Sequence, residues 1–174
     1  MKSKWQILSY TGIVAIGIYL VLAATSYLHY PGAYSPFTNW LSDLGNPIKN
    51  PSGAVFYNLA GILTSLTMIP FFVGLFKLNS GERKMKVLLT ISQAAGILGA
   101  LSFIITAVFP LGVNDEVHGV FSISLFIWFG LFEVFSSSAL RRKPSFPRWI
   151  VYTGFSTAIV SFLIGVATFF LISF

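Results

Sequence analysis

The chain has 174 residues, of which 55% are hydrophobic and only 9% are charged, and its mean hydropathy is +0.80. Such a composition excludes an ordinary water-soluble domain and most soluble enzymes with it. The sequence contains no cysteine, which excludes disulfides, thiolate nucleophiles and cysteine-ligated metal centres. The net charge of +6 does not indicate a nucleic-acid partner, because nearly all basic residues flank apolar runs, as membrane topology requires.

Five apolar runs predict an all-α fold, a polytopic membrane bundle of five transmembrane helices. A spanning helix needs about 20 apolar residues, and each run reaches that length. The first run also resembles a secretory signal peptide, but it exceeds the usual length of a signal core, and we expect it to be retained. Residues 1–174 are predicted to form a single transmembrane domain, with spans at residues 5–28, 52–76, 87–109, 117–140 and 149–173.

The basic residues predict how the protein is oriented in the cell membrane. Lysine and arginine are concentrated at the N-terminus, in residues 77–86 and in residues 141–148, and they are almost missing from the alternate loops. Cytoplasmic loops carry the excess of basic residues. The N-terminus is therefore predicted to be cytoplasmic and the C-terminus to lie outside, with loops 29–51 and 110–116 on the outer face.

The first outer loop carries a helical pattern of its own. Apolar residues at positions 37, 40, 41 and 44 follow a Ser-Pro pair and precede a glycine, which predicts a short amphipathic helix over residues 36–44. Its apolar side either anchors in the interface or covers the outer mouth of the bundle. Its polar side carries Asn39, Ser42 and Asp43.

Polar side chains from several spans are predicted to meet at the outer mouth. Carboxylates beside imidazoles orient a histidine or share proton transfer with it, so this group is our candidate site. No HxxxH or HExxH spacing is present, and we expect no metal site. The candidate catalytic residues are His118, Asp43 and Asp115. The candidate substrate-binding residues are Asn39, Trp40, Ser42, Asn58 and His29.

A second polar level lies within the membrane. Glu133 is the only charged residue strictly inside a predicted span, and Gln93 lies at a similar depth. Intramembrane carboxylates are costly, so Glu133 either joins a hydrogen-bonded structural contact between helices or forms part of a proton pathway.

Small residues in the third span predict close helix packing. Gly96 and Gly99 belong to overlapping small-xxx-small pairs, which let helix backbones approach in lipid. The partner is either another helix of the same chain or a second copy in an oligomer.

Several of these residues occur in an order that resembles the DUF998 family of prokaryotic integral membrane proteins, which are distantly similar to the FRAG1/DRAM/Sfk1 membrane proteins. The matching pieces are Tyr34-Ser35-Pro36 running into Ser42–Gly45, then Asn50–Asn58, then Phe109-Pro110 with His118 eight positions after the proline. The resemblance implies a helical membrane bundle and no established reaction. The resemblance also supports Ser42, Asp43 and His118 as functional residues.

Four functions remain open from the sequence. The leading hypothesis is that the outer mouth binds a lipid or other amphiphile, in addition to the surrounding bilayer, and whether it also modifies that ligand is left open. The alternatives are a small proton-linked transporter or channel using Glu133, a scaffold for a partner membrane protein, and a haem protein with iron between His29 and His118. The cofactor is otherwise unknown.

Overall fold

A computed structural model describes residues 4–79 and 81–173, and the side chains of residues 10–79 and 81–170 among them. The described residues form five long α-helices and no strand, and each helix is long and apolar enough to cross a membrane. This confirms the predicted fold class. The helices are α1 (Lys4–Leu28), α2 (Ala54–Gly74), α3 (Arg83–Val108), α4 (Asp115–Arg141) and α5 (Arg148–Ser173), with 3-10 helices at Leu41–Gly45 and Leu75–Leu78.

The extensive helix contacts follow chain order. Helix α1 packs on α2, α2 on α3, α3 on α4, and α4 on α5. The connections therefore alternate between two ends of the bundle. We call one the first-loop end, formed by residues 29–53 and 109–114. We call the other the basic end, formed by residues 75–86 and 141–148.

Side chains mark the starts of two helices. The Asn114 side chain accepts the Val117 N–H at 3.0 Å and caps α4. Helix α2 begins at Ala54, later than a cap at Asn50 would place it, because a turn intervenes. The Asn50 side chain still serves that turn, since its Oδ1 accepts the Gly53 N–H at 3.1 Å.

The predicted amphipathic helix in the first loop does not form. Trp40 has extended backbone (φ −70°, ψ 146°), and only Leu41–Gly45 is helical, as a 3-10 turn. The Asp43 carboxylate accepts the Trp40 N–H at 3.1 Å, and this local bond starts a new turn where a longer helix would have continued. The apolar residues consequently share no face, because Phe37 is 96% exposed and Leu44 only 3%.

The small residues of α3 are covered by aromatic rings of the same chain. A Cβ added at Gly96 would lie 2.5 Å from the Phe72 ring of α2, and one at Gly99 would lie 2.6 Å from the Phe129 ring of α4. The intramolecular alternative is therefore correct. The alternative of an oligomer contact through Gly96 and Gly99 is not supported, because neighbouring helices already occupy that face.

We expect Gly96→Ala to destabilise the bundle by about 1–3 kcal/mol, because the added methyl group overpacks the contact with Phe72. Gly17→Ala in α1 is the matched control, since a Cβ there meets nothing within 4 Å. Thermal unfolding in detergent micelles measures both. Equal stability of the two variants would show that the contact tolerates the methyl group.

Candidate functional site at the first-loop end

A buried hydrogen-bond network centred on Asn50 attaches the first loop to the bundle. Asn50 and Ser26 are both 0% exposed. The Asn50 Nδ2 donates to the carbonyls of Leu44 at 2.9 Å and Ser26 at 3.2 Å, and it lies 3.1 Å from the Ser26 hydroxyl. That hydroxyl donates in turn to the Leu44 carbonyl at 3.0 Å. The network joins the end of α1, the 3-10 helix and the start of α2.

Asp43 is buried, and each of its two carboxylate oxygens accepts a hydrogen bond. Its Oδ2 accepts the Trp40 N–H at 3.1 Å, and its Oδ1 accepts a hydrogen bond from the Lys49 ammonium at 2.9 Å. The hydrogen bond to Asp43 raises the pKa of Lys49. The stabilisation from this raised pKa is fully present below the ordinary value and is lost only as pH rises through the folded one. The ion pair thus persists at neutral pH, while the Lys49 side chain remains 50% exposed.

Aromatic side chains surround this ion pair. The Tyr34 ring meets Tyr27 and Tyr30 edge-on, with centroids 5.8 and 5.4 Å apart, and its hydroxyl donates to the Trp40 carbonyl at 3.3 Å. Burial raises the pKa of Tyr34, and the negative charge of Asp43 raises it further. The tyrosines and the buried carboxylate therefore belong to one neighbourhood.

The first loop also meets the loop between α3 and α4. Gly112 has φ +82°, and a Cβ there would lie 2.6 Å from the Asn46 side-chain oxygen, so glycine suits both the turn and the contact. The Gly112 N–H donates to the Asp115 carboxylate at 2.6 Å. The charge of Asp115 contributes to the raised pKa of Lys49, so this acid lies near the ion pair. Asp115 and Glu116 are both exposed.

His118 is held by the end of α3. Its Nδ1 donates to the carbonyls of Thr106 at 3.0 Å and Phe109 at 3.1 Å, and the residue is 8% exposed. Because carbonyls only accept, Nδ1 carries a hydrogen, and in the neutral ring Nε2 carries the lone pair. Backbone carbonyls thus orient the ring, whereas the Asp115 carboxylate is engaged by Gly112.

The other predicted binding residues lie at the first-loop end in different environments. His29 is exposed, with Nδ1 bound to a carbonyl one turn back in α1 at 2.8 Å. Asn39 accepts a backbone N–H within its own turn at 3.1 Å, and Asn58 donates to a carbonyl of the 3-10 helix at 3.0 Å. Trp40 is 50% exposed, and Ser42 is half-buried. Within the part of the chain that the structure describes, no three acidic or histidine side chains are grouped to hold a metal ion.

The intramembrane polar residues form separate pairs. Glu133 Oε2 accepts the Ser161 hydroxyl at 3.1 Å, which links α4 to α5. Gln93 Nε2 donates to the carbonyls of Phe72 at 3.1 Å and Val73 at 2.9 Å, which links α3 to the end of α2. Each pair is an interhelical hydrogen bond of the kind that stabilises membrane bundles.

Sequence reasoning missed the importance of Ser26, Asn46 and Lys49. Ser26 is a polar residue in the last turn of an apolar run, and Asn46 and Asn50 flank Lys49 four residues apart. Those signals identify polar positions near a membrane boundary. They do not say which carbonyl or carboxylate each side chain will bind.

Comparison with known protein families identifies the family of this chain. A family described as a protein of unknown function, DUF998, matches residues 13–173. The chain belongs to the DUF998 family. This is a membrane protein family, which agrees with the five spans and makes the chain a multi-pass membrane protein. No curated protein matches the chain, and no solved structure does. Membership in DUF998 assigns no reaction to the chain.

We expect Asn50→Asp to destabilise the first loop by about 1–3 kcal/mol, because the buried amide donor is replaced by an acceptor facing two carbonyls. Asn79→Asp is the control, since its side-chain oxygen accepts the Gly81 N–H and an aspartate keeps that bond. Thermal unfolding and proteolysis of residues 29–53 report the difference. Equal protection of the loop in both variants would show that the Asn50 amide does not attach the first loop to the bundle.

Proposed function

We propose that this DUF998 protein binds an amphiphile at the first-loop end, and that the ligand's headgroup carries both an ammonium and a phosphate group. The observation that supports this is the charge balance. One exposed cation, Lys49, pairs with the Asp43 carboxylate and lies near that of Asp115. Glu116 follows Asp115 in the first turn of α4. Asp43 is engaged by Lys49, so two exposed carboxylates remain to attract an ammonium, and Lys49 retains N–H groups for a phosphate.

The aromatic side chains support the same class of ligand. Tyrosine and tryptophan rings attract ammonium groups through their faces, and both residue types favour the depth at which lipid headgroups lie. Tyr30 and Tyr34 are partly buried, and Trp40 is half exposed. A zwitterionic phospholipid such as a phosphatidylethanolamine has the required charges.

The predicted site residues take different roles in this proposal. Lys49 contacts the phosphate, and Asp43 is a positioning residue that holds Lys49 in place. Asp115 contacts the ammonium. His118 is our candidate general base for any modification of the bound headgroup, because its Nδ1 bonds leave the lone pair on Nε2.

Native mass spectrometry of the purified chain tests this, with equal amounts of dioleoyl phosphatidylethanolamine and dioleoyl phosphatidylglycerol offered in micelles. We expect wild type to retain the phosphatidylethanolamine, which has an ammonium. Asp115→Asn/Glu116→Gln should reduce that adduct roughly fivefold per charge, as an interaction of about 1 kcal/mol predicts.

Glu82→Gln is the matched control, because it removes a carboxylate from the opposite end of the bundle. It should not reduce the phosphatidylethanolamine adduct. The proposal fails where wild type forms no phosphatidylethanolamine adduct, or where the double variant retains that adduct in full.

We further propose that the basic end faces the cytoplasm, as the positive-inside rule predicts. The chain contains no cysteine, so single cysteines can be introduced into a clean background. In intact cells, a membrane-impermeant maleimide should label Thr38→Cys and spare Ser145→Cys, both at exposed positions. Lysed cells provide the control, in which both variants react. The reverse pattern would invert the topology.

A further inference from the structure

A cavity of about 480 Å³ opens at the basic end, where three helices meet. It lies among Leu88 of α3, Ser138 and Arg141 of α4, Arg142 just beyond α4, and Phe155 of α5. Two guanidinium groups and a hydroxyl thus share a space with an aliphatic and an aromatic side chain. Polar donors beside apolar walls suit the boundary between a lipid phosphate and its acyl chains.

Arg141 and Ser138 have donors available for a ligand. Arg141 is exposed. Among the described residues its guanidinium makes no hydrogen bond, and its carbonyl accepts one from Arg148 Nη1 at 3.0 Å. None of the hydrogen bonds of the described residues involves the Ser138 hydroxyl, whereas Ser136 nearby bonds back to the carbonyl of Glu133. Ser138 and Arg141 are three residues apart and hence neighbours on one face of α4.

The positive charge of Arg142 is partly neutralised by the Glu82 carboxylate. Its guanidinium donates two hydrogen bonds to the Glu82 carboxylate, and the bonds lower the pKa of that carboxyl. Both side chains are well exposed, at 38% for Arg142 and 41% for Glu82, and exposed ion pairs are weak. A phosphate in the cavity can therefore compete with Glu82 for Arg142.

The surrounding charge favours an anion. Glu82 is the single carboxylate among residues 75–86 and 141–148 that the structure describes. The basic residues at this end are Lys77, Arg83, Lys84, Lys86, Arg141, Arg142, Lys143 and Arg148.

We infer that this cavity binds the phosphate of an anionic phospholipid. Arg141 and Ser138 contact the phosphate, Arg142 adds a second charge, and Leu88 and Phe155 contact the first carbons of the acyl chains. The phosphate chemistry is shared with free inorganic phosphate, but the apolar walls favour the lipid. The site differs from the first-loop end in position, charge and headgroup class, so neither proposal depends on the other.

Native mass spectrometry of the full chain with dioleoyl phosphatidylglycerol as the probe tests the inference. Wild type should bind this lipid, and Arg141→Gln should weaken binding roughly fivefold. Ser138→Ala should weaken it less, because it removes a neutral donor. Glu82→Gln should strengthen binding, because Arg142 is then released to the ligand.

Lys143→Gln is the control that separates a site from diffuse attraction. It removes the same charge from the same end, but Lys143 lies over the Phe146 ring at 5.9 Å and does not line the cavity. It should change binding less than about twofold, as expected for a charge that does not line the cavity. Equal losses in Lys143→Gln and Arg141→Gln, or no loss in either, would overturn the inference. Displacement of the lipid by millimolar inorganic phosphate would show an anion site and overturn the assignment to a lipid.

Discussion

Carbonyl groups at helix ends impose the constraint on which this bundle depends. The last four carbonyls of every α-helix lack a partner within the helix, and the hydrocarbon region of a membrane holds no water to supply one. In this chain, side-chain amides and an imidazole serve them. Asn50, Asn58, Gln93 and His118 donate to backbone carbonyls of other segments. Each such bond also fixes one element against the next.

This constraint changes how the polar residues of the first-loop end are interpreted. Asp43 and His118 have the chemistry of an acid–base pair, yet most of their hydrogen-bonding capacity is used within the protein. What remains available is the Lys49 ammonium, the exposed carboxylates of α4 and Nε2 of His118. The buried groups hold these outward-facing ones in place, which is the usual relation between a scaffold and a binding surface.

Hydropathy was sufficient to predict the five spans, because burial in lipid demands long apolar helices whatever their neighbours are. The first loop was not predictable in the same way. Its apolar spacing indicated an α-helix, but a single bond from Asp43 to the Trp40 N–H interrupted it. The sequence did predict that the candidate residues lie at one end of the bundle. The hydrogen-bond partners of these residues were not predictable. The Ser26 carbonyl bound by Asn50 and the Thr106 carbonyl bound by His118 lie 24 and 12 residues away in the chain, which local periodicity does not show.

The chain-order packing of the helices has a consequence for how the protein is made. Each helix from α2 onward packs extensively on the one synthesised immediately before it, so most contacts do not wait for a distant segment. Helices leaving the translocation machinery one after another can assemble as they emerge, and the loop-closure entropy for each step stays small. The first loop does wait for a later segment, because its Asn46 meets Gly112 only after α3 has been inserted. Closure of the first-loop end is thus a late event in biogenesis.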